Sequence, residues 1–155
     1  MTPPDAQQPN EWAATQAAAL RFLSIREHSR AELRRKLKGR AADALIDDIL
    51  DDLGERGLQS DTRYAEGQVR LRLEKGQGPL LIRRDLGQTG IDPELIKAAL
   101  ADAAPDWPAL LQALVKRKFG PEPPADYREA TRRARFLAQR GFDAEMIRRE
   151  LFSDL

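Results

Sequence analysis

The residues that could do chemistry are few. His28 is the only imidazole in 155 residues and cysteine is absent, which excludes thiolate nucleophiles, Cys-ligated zinc and any site needing two imidazoles. His28 stands between Glu27 and Ser29 at a helix junction, without a nucleophile or second ligand beside it, so a capping or surface role is expected. The nearest approach to a glycine loop, Gly76-Gln77-Gly78-Pro79, is too short to wrap a phosphate and reads as a turn in which Pro79 begins a helix. No GxxxxGK(S/T), strand-linked GxGxxG, HExxH or EF-hand loop is present. Neither catalytic residues, a cofactor, a metal nor a small-molecule substrate is expected.

What remains is charge. Asp47 and Asp51, like Asp48 and Asp52, are like charges at i,i+4 on one helix, which is unfavourable unless a cation lies nearby. With Asp43 they form either a solvated face compensated by Arg34, Arg35, Lys36 and Lys38, or a docking strip for a basic partner. The basic candidates are Arg70, Arg72 and Lys75, then Arg83 and Arg84, then Arg132, Arg133 and Arg135. Arginines on rigid helices suit contact with an extended polyanion or an acidic protein groove.

These charges sit in blocks. Residues 21–40 hold eight basic and two acidic groups, whereas residues 41–62 hold seven acidic and one basic. Residues 132–142 hold four basic groups and no acid. An apolar grid runs in step with the blocks: Leu33, Leu37, Leu45, Ile46 and Leu50; then Ile82, Leu86, Leu95, Ile96 and Leu100; then Leu137, Met146, Ile147 and Leu151. Leu37, Leu86 and Leu137 are 49 and 51 residues apart. A period near 50 without β-branched alternation predicts an all-α tandem array of three three-helix repeats, elongated and curved, each unit too small to bury its apolar face alone.

The predicted helices of the first repeat cover 12–25, 30–38 and 42–53, with Ser29 and Glu32 as a capping box and Gly54 as a stop. In the second, Ser60 or Asp61 caps a helix to residue 74, Pro79 opens one to residue 86, and Asp92-Pro93 starts the last. The third repeat places helices over 106–119, 125–140 and 143–151. The expected division is a disordered tail over 1–10 and repeats over 11–58, 59–104 and 105–155.

The runs REHSRAELRRKL (26–37) and LGERGLQSDTRYAEGQVRLRLEKGQGPLLIRRDLGQTGID (53–92), with ATRRARFLAQRGFDAEMIRREL (130–151), resemble the RecX family of recombination regulators over about residues 12–152. The family's central motif maps onto Asp61, Arg63, Tyr64, Ala65, Arg70, Gly76, Gly78, Pro79, Ile82, Leu86, Gly90 and Ile91. The resemblance implies a protein without enzymatic activity that binds the RecA filament on single-stranded DNA and inhibits its ATPase, strand-exchange and coprotease activities. On the residues alone, Tyr64, Ala65, Ile82, Leu86 and Ile91 read as core. The alternative is a direct DNA-binding module of helix-turn-helix type, which a net charge of +1 and the aspartate-rich helix disfavour. The first ten residues lack the basic and apolar blocks of a signal peptide and no apolar run reaches the length of a membrane span, so a cytoplasmic protein is expected.

Overall fold

The computed structural model describes residues 8–152, which form nine helices and no strand. They fall into two compact units, residues 8–65 with 89–91, and residues 66–88 with 92–152. Residues 1–7 of the expected tail lie outside the described residues, and residues 8–10 already belong to the first helix.

In the first unit, α1 (Gln8–Ile25), α2 (Arg30–Leu37) and α3 (Asp43–Glu55) pack against one another. The core consists of Ala18, Ala19, Leu33, Leu37, Ile46, Ile49, Leu50 and Leu53. With eight residues, α2 is too short to persist alone; burying Leu33 and Leu37 completely contributes about 1.5–3 kcal/mol each. Helix α3 does not stop at Gly54. It continues to Glu55, and the chain reverses at Gly57, whose φ of 71° is left-handed. There Leu58 N donates to Leu53 O at 2.9 Å and Gly57 N to Gly54 O at 3.1 Å, a C-terminal motif that needs a glycine at the positive-φ position.

Helix α4 (Asp61–Glu74) begins in the first unit and continues into the second. Ser60 caps it, its Oγ accepting from Arg63 N at 3.2 Å. Asp61 serves α2 instead. Its carboxylate accepts from Arg30 N at 2.8 Å, completing the N-terminus of that helix.

The second unit also contains α5 (Pro79–Gly87), α6 (Pro93–Ala103), α7 (Trp107–Phe119), α8 (Tyr127–Gln139) and α9 (Ala144–Leu151). Aspartates start four of these: Asp92, Asp106, Asp126 and Asp143 accept from Glu94 N, Ala109 N, Glu129 N and Met146 N at 2.8–3.1 Å. Helices α7, α8 and α9 enclose Leu111, Leu114, Val115, Leu137, Phe142, Ile147 and Leu151, with the Trp107 ring edge-on to Phe142 at 6.3 Å.

One joint recurs in both units. In the first, the N-terminus of α2 meets the turn at Thr89 and Gly90, with Ser29 Oγ donating to Thr89 O at 2.9 Å. In the second, the N-terminus of α5 meets the turn at Arg140 and Gly141; Gly78 N donates to Arg140 O at 2.7 Å and Leu80 N to Gly141 O at 2.9 Å. Each joint sets a turn preceding the third helix of one repeat against the second helix of the preceding repeat.

Candidate interaction surfaces

Several residues that carry the family resemblance are occupied inside the protein. Arg63 pairs with Glu27 at 2.9 Å. Tyr64 is buried; burial, then the Glu32 carboxylate, pushes its phenol above the ordinary value against the opposing effect of Thr89. Ala65, Ile82, Leu86 and Ile91 are buried as expected. His28 is not a surface residue. It is 1% exposed, with Nδ1 3.0 Å from Arg26 O and Nε2 2.9 Å from Lys36 Nζ. Accepting from an ammonium requires a neutral ring, and burial lowers its pKa in the same sense.

The acidic face of α3 is largely matched by neighbouring arginines. Arg34 meets Asp47 at 2.8 Å, Arg30 meets Asp51 at 2.7 Å and Arg56 meets Asp52 at 3.2 Å. The bond from Arg34 holds the Asp47 carboxyl below its ordinary range. Asp48 is exposed without a hydrogen-bond or ion-pair partner among the described residues. Of the expected compensating cations, Arg34 performs that role, whereas Lys36 turns to His28 and the Phe22 ring.

The basic candidates divide by environment. Arg70 and Arg83 are exposed and unpaired among the described residues, and Lys75 is exposed on the same unit. Arg84 is exposed and meets Asp85 at 3.2 Å. Arg72 is half-buried and tied to Asp85 at 3.0 Å and Gln77 at 3.2 Å, bracing α4 against α5. Arg133 corrects the expectation of a surface cation: it is 3% exposed. Its guanidinium donates to Glu129 at 2.7 Å and Glu122 O at 3.1 Å, and lies 5.1 Å above Phe119. An arginine so consumed holds the 120–126 connector to α8 and offers no charge to a partner.

Arg132 and Arg135 remain exposed on α8, with two residues not singled out from sequence, Tyr127 and Arg128. Their signal is legible in retrospect: Tyr127, Thr131 and Arg135 follow at i,i+4,i+8 directly after the Asp126 cap, which puts them on one helical face. Among the described residues no group of histidine and carboxylate side chains could hold a metal ion, and no helix is long and apolar enough to cross a membrane.

Fold and surface together define an all-helical protein of tandem three-helix units that presents charged faces. Sequence models of three RecX three-helix domains match it in order: the first over residues 17–53, the second over 60–100 and the third over 106–151. A regulatory protein RecX from Halorhodospira halophila is 46% identical over 136 residues, covering 87% of this chain and 84% of the relative. One from Pseudomonas entomophila is 45% identical over 139 residues, covering 89% and 90%. The crystal structure of RecX from Lactobacillus salivarius shares the fold, with a TM-score of 0.79 at 24% identity over 92% of this chain and 95% of that one. The chain belongs to the RecX family, whose members are regulatory proteins and not enzymes.

Proposed function

We propose that this chain binds the RecA recombinase filament on single-stranded DNA and inhibits its ATPase, strand-exchange and coprotease activities in the cytoplasm, modulating recombinational DNA repair and the SOS response. The match to all three RecX domains in order, with relatives at about 45% identity along most of the chain, carries this reading. Contact is assigned to Arg70 on α4, Lys75 in the turn that follows it, Arg83 and Arg84 on α5 and Arg132 and Arg135 on α8, which keep their charge at the surface. Asp48 is the acidic contact. Arg72 and Asp47, Asp51 and Asp52 contribute by holding these faces in place through the pairs already described.

The test is single-stranded-DNA-dependent ATP hydrolysis by RecA with substoichiometric amounts of the chain. Inhibition is expected, and its weakening when Arg70, Arg83 and Arg84 are replaced by alanine in a variant with unchanged thermal melting. Unaffected hydrolysis, with tight and salt-sensitive binding to naked duplex, would transfer support to the helix-turn-helix reading.

A further inference from the structure

One face of α8 carries an arrangement that the helix packing does not use. Tyr127 is 71% exposed although its ring rests against Phe152, 5.7 Å away and tilted by 55°. Arg128, Arg132 and Arg135 continue along the helix and line, with Tyr127, a hollow of about 870 Å³. At the rise of an α-helix these arginines are about 6 and 4.5 Å apart along the axis. None of the three guanidiniums makes a hydrogen bond or ion pair among the described residues, although Arg132 lies near enough to the Glu129 carboxylate to help hold it below its ordinary range.

The two acids lining the same hollow are committed elsewhere. Asp126 accepts from Glu129 N at 2.8 Å, where the helix N-terminus balances its charge. Glu129 accepts from Ala125 N at 3.0 Å and from the buried Arg133 at 2.7 Å. Three guanidiniums therefore face solvent beside an uncovered aromatic ring, with the local acids already balanced.

We propose that this face binds single-stranded nucleic acid, one unstacked base lying on the Tyr127 ring and the adjoining phosphates meeting Arg128, Arg132 and Arg135. A carboxylate-rich peptide could use the guanidiniums but gains nothing from the ring, whereas every base has a face to stack on it. Forked guanidiniums match phosphate oxygens. Duplex DNA keeps its bases inside the stack and so leaves the ring idle. The site requires no recombinase, which makes its test independent of the ATPase test.

The full chain is titrated into a short fluorescein-labelled oligothymidylate, with anisotropy as readout. Tyr127→Ala should weaken binding about tenfold while Tyr127→Phe keeps parental affinity. Removing Arg132 and Arg135 together should lower the slope of log affinity against log salt by about 1.4. Circular dichroism confirms that each variant is folded. In the unaltered chain, photo-cross-linking to a bromodeoxyuridine oligonucleotide should map to α8. Parental affinity of the folded Tyr127→Ala chain, a cross-link mapping outside α8, or polyglutamate binding in place of the oligonucleotide would overturn the proposal; the last would make the site one for acidic peptides.

Discussion

The two joints solve one problem with different acceptors. A helix N-terminus leaves backbone N–H groups without intrahelical partners. At α2, side chains meet that need: Ser29 Oγ accepts from Glu32 N at 3.1 Å and Asp61 accepts from Arg30 N at 2.8 Å. The Ser29 hydroxyl proton is then free to reach Thr89 O. At α5 no side chain caps the helix and Pro79 removes one donor. Gly78 N and Leu80 N are satisfied instead by the carbonyls of Arg140 and Gly141. Backbone bonding demands closer approach: a Cβ on Gly78 would lie 2.4 Å from the Gly141 carbonyl carbon. An added Cβ is therefore expected to be better accommodated at the first joint, where at Gly90 it would meet a side chain, than at the second, where it would meet main chain.

Glycine substitutions probe that contrast most strongly. Gly141 has φ 94°, and a Cβ there would meet Leu81 Cβ at 2.3 Å and Leu81 N at 2.6 Å. Gly141→Ala should cost about 3 kcal/mol or more in a urea melt, and adding Leu81→Ala should bring no relief because the offending atoms remain. Gly90→Ala meets only the Ala31 side chain at 2.4 Å, also at positive φ. Its loss should be about 2–3 kcal/mol, and Ala31→Gly should recover enough of it that the double variant is about 1 kcal/mol more stable than the sum of the single effects. Additive losses at Gly90, or rescue at Gly141, would erase the distinction between the joints.

Ser29→Ala should cost about 1–2 kcal/mol, removing a cap and the bond to Thr89 O together, with a faster-exchanging Glu32 amide as its local signature. A weaker effect follows from His28, beside α2. Burial, opposed by the bond to Arg26 O and reinforced by the charges of Arg26 and Lys36, lowers its folded pKa despite Glu32. The unfolded chain therefore binds more protons between the folded pKa and about 6.5. Stability should be fully present above about pH 6.5 and fall as the pH drops through this window. The decline in urea midpoint should flatten in His28→Gln; an unchanged decline would assign it to another group. Smallest of all is Arg34→Ala, whose exposed pair with Asp47 should leave the melting temperature unchanged.

The apolar grid was legible because helical period and burial obey the same geometry. Leu33, Leu37, Ile46 and Leu50, then Ile82, Leu86, Ile96 and Leu100, then Leu137, Ile147 and Leu151 are all buried, and Leu45, Leu95 and Met146 are half-buried at the equivalent position of each repeat. Helix starts were legible because one short polar side chain beside its own backbone decides them, as at Asp92, Asp106 and Asp143. The surface was harder to read. Arg132, Arg133 and Arg135 form one basic run in the sequence, yet Arg133 turns inward to Glu129 and Phe119 while the other two remain exposed.

Sequence by itself determined the helical class, the near-50-residue repeat and the positions that fill each core, since these follow from spacing along one chain. Tertiary structure decided which charges remain available, because pairing depends on what another helix brings within about 4 Å. It also decided the roles of Ser60 and Asp61: adjacent in sequence and alike as caps, one starts α4 while the other reaches across 31 positions to complete α2.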